Sequence, residues 1–306
     1  MPIPATYANS PYIWQDGKLV DFKDATIHVL SYSLHYANAV FEGIRAYKSP
    51  KGMLVFRLCD HLQRLLDSAK TLMLEIPYNL EQLKQATLEL LRANQCSEDT
   101  YIRPLIFMGL GALGVCNPTP PIHTIIGSMQ WRANEIHGIK VKTSSFSKPS
   151  VQASPNRAKA SAHYLNSHLA KQEALLCGCE EALLLDTQGF VAEGSAESLF
   201  IVSKGTLIAP PLDSTLDSIT RQTILELAQH LQIPTLQRRL VREEIYTAQE
   251  AFFVGTGAEI TPIKSLDFRE IGNPNNAPIT QALSQTYMQL VRGQLNHFNH
   301  YLTPLN

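Results

Sequence analysis

The chain has 306 residues, of which 44% are hydrophobic and 17% are charged, and its formal net charge at pH 7 is -1. This length predicts two domains, and the composition is typical of a globular protein with a sizeable core. Because Lys and Arg are not in excess, nucleic acid and anionic membrane surfaces are excluded as principal partners.

Three features of the sequence favour a cytoplasmic location. Residues 1–14 lack the positive segment and apolar core of a secretory signal. No run approaches the roughly 18 apolar residues that a membrane span needs. The five cysteines are odd in number and scattered, which suits reduced thiols better than a disulfide framework. We therefore expect the cytoplasm.

The first part of the chain predicts strands and two amphipathic helices. From Asp60 onward leucines recur at helical spacing, and Asp60 with Gln63 predicts a capping box. Residues 79–94 repeat this pattern after the break at Pro77. Strand-like runs occupy residues 26–30, 53–58, 101–108 and 123–129.

The second part is richer in strands and begins near Gly138. Residues 183–209 predict a meander with turns at 186–189 and 204–205, residues 219–232 predict a helix, and residues 251–254 predict a strand. The polar stretch 130–137 is the predicted interdomain link. The prediction is thus an α+β protein with an amino-terminal domain at 1–129 and a carboxy-terminal domain at 138–306.

Two residues could carry chemistry on a cofactor. Lys159 lies among small residues, and a lysine amine can condense with an aldehyde once its surroundings lower its pKa. Glu193 precedes Gly194, and a carboxylate can keep the ring nitrogen of pyridoxal protonated. In isolation both patterns are more typical of a solvated lysine and an exposed strand end.

Three segments could hold a phosphate. Ser218-Ile219-Thr220 opens a predicted helix, whose first amides favour an anion. Gly255-Thr256-Gly257 follows a strand and could offer amides in a tight turn, although such turns are common. Arg64 lies nearly opposite the leucine face of its helix, which predicts solvent unless that face lines a cleft.

Other enzyme classes lack their motifs. There is no GxSxG, HExxH or Walker A sequence, and residues 109–114 match GxGxxG without a convincing helix after them. Neither the pair His28 and His35 nor the pair His163 and His168 has metal-binding spacing. No metal site is predicted.

Seven segments together resemble the branched-chain amino acid aminotransferases, which are pyridoxal phosphate enzymes of fold type IV, over residues 12–266. The segments are His35-Tyr36, Val40-Phe41-Glu42-Gly43-Ile44-Arg45, Tyr101-Ile102-Arg103-Pro104-Leu105, Lys159-Ala160 with Tyr164-Leu165, Glu193-Gly194-Ser195-Ala196-Glu197, Ile219-Thr220-Arg221 and Gly255-Thr256-Gly257-Ala258-Glu259. They occur in the family's order.

The resemblance implies a role for each matching residue. Lys159 would link the cofactor and carry the proton, Glu193 would pair with the ring nitrogen, and Tyr164 would bond the phenolic oxygen. The phosphate would be held by Arg64, Ile219, Thr220 and Thr256. The substrate carboxylate would meet Tyr101 and the amides of Thr256 and Gly257, the side-chain pocket would be lined by Tyr36, Phe41 and Trp131, and Arg103 would meet the second carboxylate of glutamate.

The resemblance also implies an architecture and a reaction. It implies a smaller α/β amino-terminal domain and a larger carboxy-terminal domain with the cofactor between them, in a homodimer or larger assembly. It implies transamination between branched-chain L-amino acids and 2-oxoglutarate. Two segments depart from the family's pattern: Ser161-Ala162-His163 after the lysine, and residues 132–135 after Trp131, which lack the usual glycine and tyrosine.

Related activities remain as alternatives. A D-amino acid aminotransferase and an aminodeoxychorismate lyase share the fold type, but residues 41–45 and 101–104 favour the branched-chain enzyme over both. A non-catalytic relative would not need Lys159 and Glu193, and both are present.

Overall fold

The computed structural model describes residues 5–6, 10–115, 120–131, 138–273 and 276–305, which form two compact units. The first unit comprises Pro2–Asn134, Ala158–Ala162 and Leu290–Asn306, and the second comprises Glu135–Arg157 and His163–Gln289. Each unit contains one large sheet with helices, so the predicted α+β class is confirmed. Residues 132–137 of the predicted link lie outside the described residues, and the domain boundary stays a prediction.

The first unit is built on a sheet that has nine strands among the described residues, in the order β18-β6-β5-β7-β8-β2-β3, with β1 on β8 and β4 on β7. Its elements are β1 Ala5–Thr6, β2 Tyr12–Gln15, β3 Lys18–Asp21, α1 Tyr32–Tyr36, β4 Ala39–Phe41, β5 Ile44–Ser49, β6 Gly52–Phe56, α2 Leu58–Thr71, α3 Leu80–Ala93, β7 Thr100–Met108 and β8 Ile122–Trp131. The chain returns to this sheet near its end, as β18 Leu302–Pro304.

The two predicted helices are present as α2 and α3, and their leucine faces pack into the core of the first unit. Helix α3 begins with a capping box in which Asn79 accepts the Gln82 N–H and Gln82 accepts the Asn79 N–H. The capping box predicted at Asp60 is wrong. Helix α2 begins two residues earlier, after Arg57 in the left-handed conformation, and Asp60 within its first turn accepts a hydrogen bond from Arg57 Nε at 2.5 Å.

Three of the four predicted strands of this unit are confirmed as β6, β7 and β8. The strand predicted at 26–30 is wrong, because this stretch is a loop ending in a turn closed by the Ser31 N–H on the His28 carbonyl. Its apolar side chains Ile27, Val29 and Leu30 are 48%, 73% and 44% exposed. The hydrophobic run therefore marks a surface and not a core strand.

The second unit is built on another sheet with nine strands among the described residues, in the order β11-β10-β9-β16-β15-β12-β13-β14, with β17 on β16. Its elements are β9 Ile139–Thr143, α4 Tyr164–Leu176, β10 Glu181–Leu185, β11 Val191–Gly194, β12 Ser198–Ser203, β13 Thr206–Ala209, α5 Ile219–His230, β14 Thr235–Gln237, α6 Arg242–Tyr246, β15 Glu250–Gly255, β16 Glu259–Leu266, β17 Arg269–Glu270 and α7 Pro278–Val291. The predicted helix and apolar strand are present as α5 and β15. The predicted meander is wrong, because its four strands pair as two separate hairpins, β10 with β11 and β12 with β13, with β9, β16 and β15 lying between the two hairpins in the sheet.

No helix in the described part of the chain is long and apolar enough to cross a membrane. The longest helices, such as α2 and α3, have 14 residues.

Candidate active site

The backbone N–H and carbonyl of Lys159 both form hydrogen bonds within the first unit. Its carbonyl accepts the Phe41 N–H at 3.1 Å, and its N–H donates to Ser68 Oγ at 3.0 Å. Its neighbours Ala158 and Ala160 are each only 2% exposed, so the backbone is packed as well as bonded. The half-buried side chain extends from this fixed point and places Nζ 5.0 Å from the Phe41 ring centroid.

Arg64 lies on the same face of α2 as Ser68, one turn earlier. Its side chain is only 15% exposed, so the solvent position predicted from its helix face is wrong. The reason is Glu42, a fully buried carboxylate that accepts Arg64 Nε at 2.6 Å and Nη2 at 3.0 Å. The buried His61 Nδ1 lies 2.8 Å from the same carboxylate. Glu42, His61 and Arg64 form what we call the Glu42 cluster.

Tyr101 approaches the backbone of Gly43 so closely that only glycine fits there. A Cβ at position 43 would lie 2.1 Å from Tyr101 Oη. On its other side the Tyr101 ring stacks on Trp131, with centroids 5.0 Å apart. The glycine of the Phe41-Glu42-Gly43 segment is thus explained by the position of the tyrosine that is predicted to bind the substrate carboxylate.

Arg103 lies between two aromatic rings, 4.6 Å from the Phe41 centroid and 5.2 Å from that of Tyr101. Its Nη2 donates to Tyr101 Oη at 2.9 Å. The buried Arg103 Nε and Trp131 Nε1 have no hydrogen-bond partner among the described residues. Aromatic rings beside hydrogen-bond donors can pack against an apolar side chain and can also bind a charged one.

Tyr36 lies apart from these contacts, at the end of α1. Its ring packs against Tyr32 with centroids 4.6 Å apart, its Oη accepts the Gly114 N–H at 3.0 Å, and it is 39% exposed. Its predicted role as a wall of the pocket stays a prediction.

In the second unit Glu193 forms a buried ion pair. It lies on β11 with 8% exposure, and Oε1 is 2.6 Å from Nζ of Lys148, which is equally buried. A buried carboxylate is costly without a cation or hydrogen-bond donors. Lys148 supplies such a cation.

The other predicted binding residues of this unit lie at the ends of elements. Ile219 and Thr220 open α5, where Ser218 caps the helix by accepting the Arg221 N–H at 3.2 Å. First-turn amides have no partner within a helix and favour an anion. Thr256 and Gly257 form the turn between β15 and β16, and Tyr164 is the first residue of α4.

Sequence reasoning missed the roles of Glu42, His61 and Lys148. Glu42 belongs to one of the seven segments that carry the resemblance. An acidic residue in the otherwise apolar stretch 39–44 was a signal that its carboxylate is paired with a cation. His61 precedes Arg64 by three residues and so shares its helix face. Lys148 carried no comparable signal, because its contact with Glu193 depends on the fold of the sheet.

Glu197 is a further carboxylate beside the candidate residues. Its carbonyl accepts the Gly194 N–H at 2.7 Å, and its Oε2 accepts the Ala196 N–H at 3.0 Å, which closes a tight turn after β11. Burial and the nearby Glu181 carboxylate raise the pKa of Glu197 to about 8, and the Lys171 ammonium opposes this shift. Glu181 itself contacts Lys171.

Groups of three or more potential metal ligands are absent from the residues that the structure describes.

Comparison with known proteins assigns the chain to a family. The model of the family "Amino-transferase class IV" matches residues 39–266. A branched-chain-amino-acid aminotransferase from Pseudomonas aeruginosa is 44% identical over 287 residues, which cover 92% of this chain and 93% of the relative. One from Escherichia coli K12 is 39% identical over 297 residues, with 94% and 96% covered. The chain belongs to the class IV aminotransferases, in their branched-chain group.

Solved structures of this family are similar over nearly the whole chain. The T.th. branched-chain amino acid aminotransferase complexed with N-(5'-phosphopyridoxyl)-L-glutamate is 39% identical with a TM-score of 0.94, covering 97% of this chain and 99% of that one. The Thermobaculum terrenum enzyme in its PLP-form is 36% identical with a TM-score of 0.92 and the same coverage. The predicted class IV fold is thereby confirmed.

The pKa of Glu197 predicts a specific pH dependence of stability. Because the folded state keeps a proton that the unfolded state has lost above its ordinary pKa of 4.5, this group stabilises the aminotransferase at low pH. The contribution declines as the pH rises through about 8. Glu197→Gln should therefore show a shallower loss of unfolding free energy between about pH 5 and pH 8 than the parent, measured by urea unfolding.

Glu89→Gln is the matched control, because Glu89 is exposed on α3. This variant should follow the parent at every pH. A parallel pH profile for Glu197→Gln and the parent would show that Glu197 is ionised in the folded protein.

Proposed function

We propose that this class IV aminotransferase uses pyridoxal 5'-phosphate bound to Lys159 to exchange the amino group between branched-chain L-amino acids and 2-oxoglutarate. The observation that carries the proposal is the placement of Lys159, whose fixed backbone directs its amine to the Phe41 ring. Relatives named as branched-chain-amino-acid aminotransferases and similar structures in pyridoxamine phosphate and PLP forms support it.

The residues present fit this cofactor. Lysine is the residue that can link its aldehyde, and Lys159 is half-buried on a packed backbone. Arg64 is preset by Glu42, and α5 opens with capped first-turn amides, which suits a phosphate. The buried Glu193 carboxylate lies in an ion pair with Lys148, and a carboxylate suits a protonated ring nitrogen.

Once bound, the cofactor supplies an electron sink that stabilises negative charge on the substrate α-carbon. The protein residues carry the remaining tasks. Lys159 Nζ would act as the general base that accepts the proton of the substrate α-carbon, and as the acid that gives it back. Glu193 would hold the ring nitrogen proton, and Tyr164 Oη would bond the phenolic oxygen. The residues that would hold the phosphate are Arg64, Ile219, Thr220 and Thr256.

Substrate recognition requires one pocket for an apolar and a charged side chain. The amides of Thr256 and Gly257 with Tyr101 would bind the α-carboxylate shared by all substrates. Burial against Tyr36, Phe41 and Trp131 would contribute roughly 0.8 kcal/mol for each methylene of leucine. A glutamate carboxylate needs a donor instead, and Arg103 offers a guanidinium in the same aromatic surroundings.

We further propose that the chain works as a homodimer through an apolar surface of the first unit. The surface comprises the exposed side chains Ile27, Val29, Leu30, Leu34, Leu110, Leu113 and Val115. These side chains belong to two segments, residues 27–34 and 110–115. The segments are joined by the β-bridge between Ser31 and Leu110 and by a hydrogen bond that the Tyr32 hydroxyl donates to the Val115 carbonyl. Because neither segment carries Asp, Glu, Lys or Arg, a second copy of the same surface is a suitable partner.

The cytoplasm is the location we propose for this enzyme. The four cysteines that the structure describes are free thiols, which suits a reducing compartment.

The first test concerns the link at Lys159. The purified protein should carry a visible absorbance band that Lys159→Ala removes, because the variant lacks the amine. The control is Lys70→Ala, which removes an exposed lysine of α2 and should keep the band. A cofactor–lysine adduct that borohydride still fixes in Lys159→Ala would place the link at another lysine.

The second test concerns the dimer. Leu34→Lys places a charge on a side chain that is 61% exposed within the apolar surface, and sedimentation velocity should show dissociation towards monomer. Met73→Lys changes a residue that is 84% exposed outside this surface and should sediment as the parent does. An unchanged assembly in Leu34→Lys would exclude this surface as the interface.

The third test separates the two substrate classes. Arg103→Leu should lower kcat/KM for glutamate by about ten- to a hundredfold, from the loss of a charge-assisted hydrogen bond, and leave leucine within about threefold. Half-reactions with each amino acid measure both values. Arg269→Leu removes a second arginine stacked on a tyrosine, 4.6 Å from the Tyr246 centroid, and serves as the control. Equal losses for both substrates would assign Arg103 to the shared α-carboxylate or to the fold.

A further inference from the structure

The Glu42 cluster is a buried charge arrangement that the proposed transamination does not by itself explain. Glu42 is fully buried and its carboxylate meets four donors: Arg64 Nε, Arg64 Nη2, His61 Nδ1 and the Gly43 N–H at 3.2 Å. Replacing such a pair by apolar residues is often neutral or stabilising. Fold stability is therefore a weak reason for a carboxylate at this place.

The charges within the cluster are set by its surroundings. Burial alone would raise the pKa of Glu42, but the Arg64 charge and the hydrogen bonds from Arg64 and His61 outweigh it and hold that pKa far below its usual range. Burial lowers the pKa of His61. The Glu42 carboxylate opposes this shift, whereas the Lys159 charge adds to it. Glu42 is ionised near neutral pH, and neutral His61 donates from Nδ1.

Hydrogen bonds at one edge of the Arg64 guanidinium fix the orientation of this side chain. Nε and Nη2 both bond Glu42, so the plane of the fork is determined by two hydrogen bonds. The opposite edge of a planar fork then points in a determined direction. A long arginine side chain otherwise loses substantial rotamer freedom when it binds an anion, and a preset side chain avoids that loss.

The cluster is also close to the candidate linking lysine. Glu42 directly follows Phe41, whose N–H bonds the Lys159 carbonyl, and Ser68, which accepts the Lys159 N–H, lies one turn from Arg64 on α2. Each of the two backbone hydrogen bonds of Lys159 is thus made to a residue that is close to the Glu42 cluster within the same unit.

We propose that Glu42 is a positioning residue that orients Arg64 towards a phosphate monoester, the 5'-phosphate of the cofactor, with His61 as the donor that aligns the carboxylate. This inference rests on the proposed function, because it assumes a phosphorylated cofactor at Lys159. It assigns Glu42 no contact with substrate or cofactor. Its effect should therefore depend on the phosphate group and not on the pyridine ring.

The experiment compares pyridoxal 5'-phosphate with pyridoxal, which lacks the phosphate. Cofactor is removed from the purified full-length protein, and the dissociation constant of each ligand is measured by its absorbance on rebinding. Glu42→Gln keeps the shape of the side chain but replaces one acceptor oxygen by an NH2 group that faces donors. It should weaken pyridoxal 5'-phosphate by about ten- to a hundredfold and change pyridoxal by less than about threefold.

Glu244→Gln is the matched control, because Glu244 makes the same two-bonded contact with Arg238 in the second unit, at 3.0 and 2.6 Å. Both of its dissociation constants should equal those of the parent. A second pair of variants covers the case in which Glu42→Gln does not fold. His61→Asn keeps a donor near the Nδ1 position and should preserve the preference for the phosphorylated ligand, whereas His61→Leu should reduce it.

The outcomes separate this inference from the proposed function. If the parent binds pyridoxal 5'-phosphate no better than pyridoxal, both are overturned. If the parent prefers the phosphorylated ligand and Glu42→Gln retains that preference, only the role of Glu42 is wrong. Equal weakening of the two ligands in Glu42→Gln would also overturn it, because that result indicates a purely structural carboxylate.

Discussion

The two backbone hydrogen bonds of Lys159 are the constraint on which the site in the first unit depends. One joins the lysine to the end of β4 through Phe41, and the other joins it to α2 through the buried Ser68. A side chain can be positioned no better than the backbone that carries it. Since β4 pairs with β7, the lysine is tied through Phe41 to the strand that also carries Tyr101 and Arg103.

Buried charge is handled in the same way in both units. Glu42 is paired with Arg64 in the first unit, and Glu193 with Lys148 in the second. For Glu42, burial would raise the pKa of the carboxylate, but the Arg64 charge and the hydrogen-bond donors hold that pKa below its usual range. Glu197 shows the opposite outcome, because burial and the nearby like-charged Glu181 together raise its pKa to about 8. Pairing thus outweighs burial in setting the pKa of Glu42, whereas burial dominates the pKa of Glu197.

Much of the fold could be predicted because its signals are local. Helix α3 combines a capping residue at Asn79 with a periodic leucine face, and both operate within a few residues of sequence. Residues 26–30 show the limit of this approach, since a run of apolar residues predicts a buried strand whether it faces a core or a surface. Helix periodicity misplaced Arg64 for a related reason: its buried partner, Glu42, is 22 residues away. The resemblance to a family supplied the candidate residues that pattern alone left open, but not their partners Glu42 and Lys148.

At the end of β4, two adjacent residues contact two different sets of candidate binding residues. Phe41 is the last residue of the strand, and Glu42 continues its pairing through an N–H that donates to the Pro104 carbonyl at 2.9 Å. Successive side chains of extended backbone point to opposite faces. Accordingly the Phe41 ring meets Lys159 and Arg103, while the Glu42 carboxylate meets Arg64 and His61. The apolar wall and the carboxylate that orients Arg64 are therefore one residue apart, and a shift of this segment by a single residue would exchange them. Gly43 restrains such a shift, because any side chain there would collide with Tyr101.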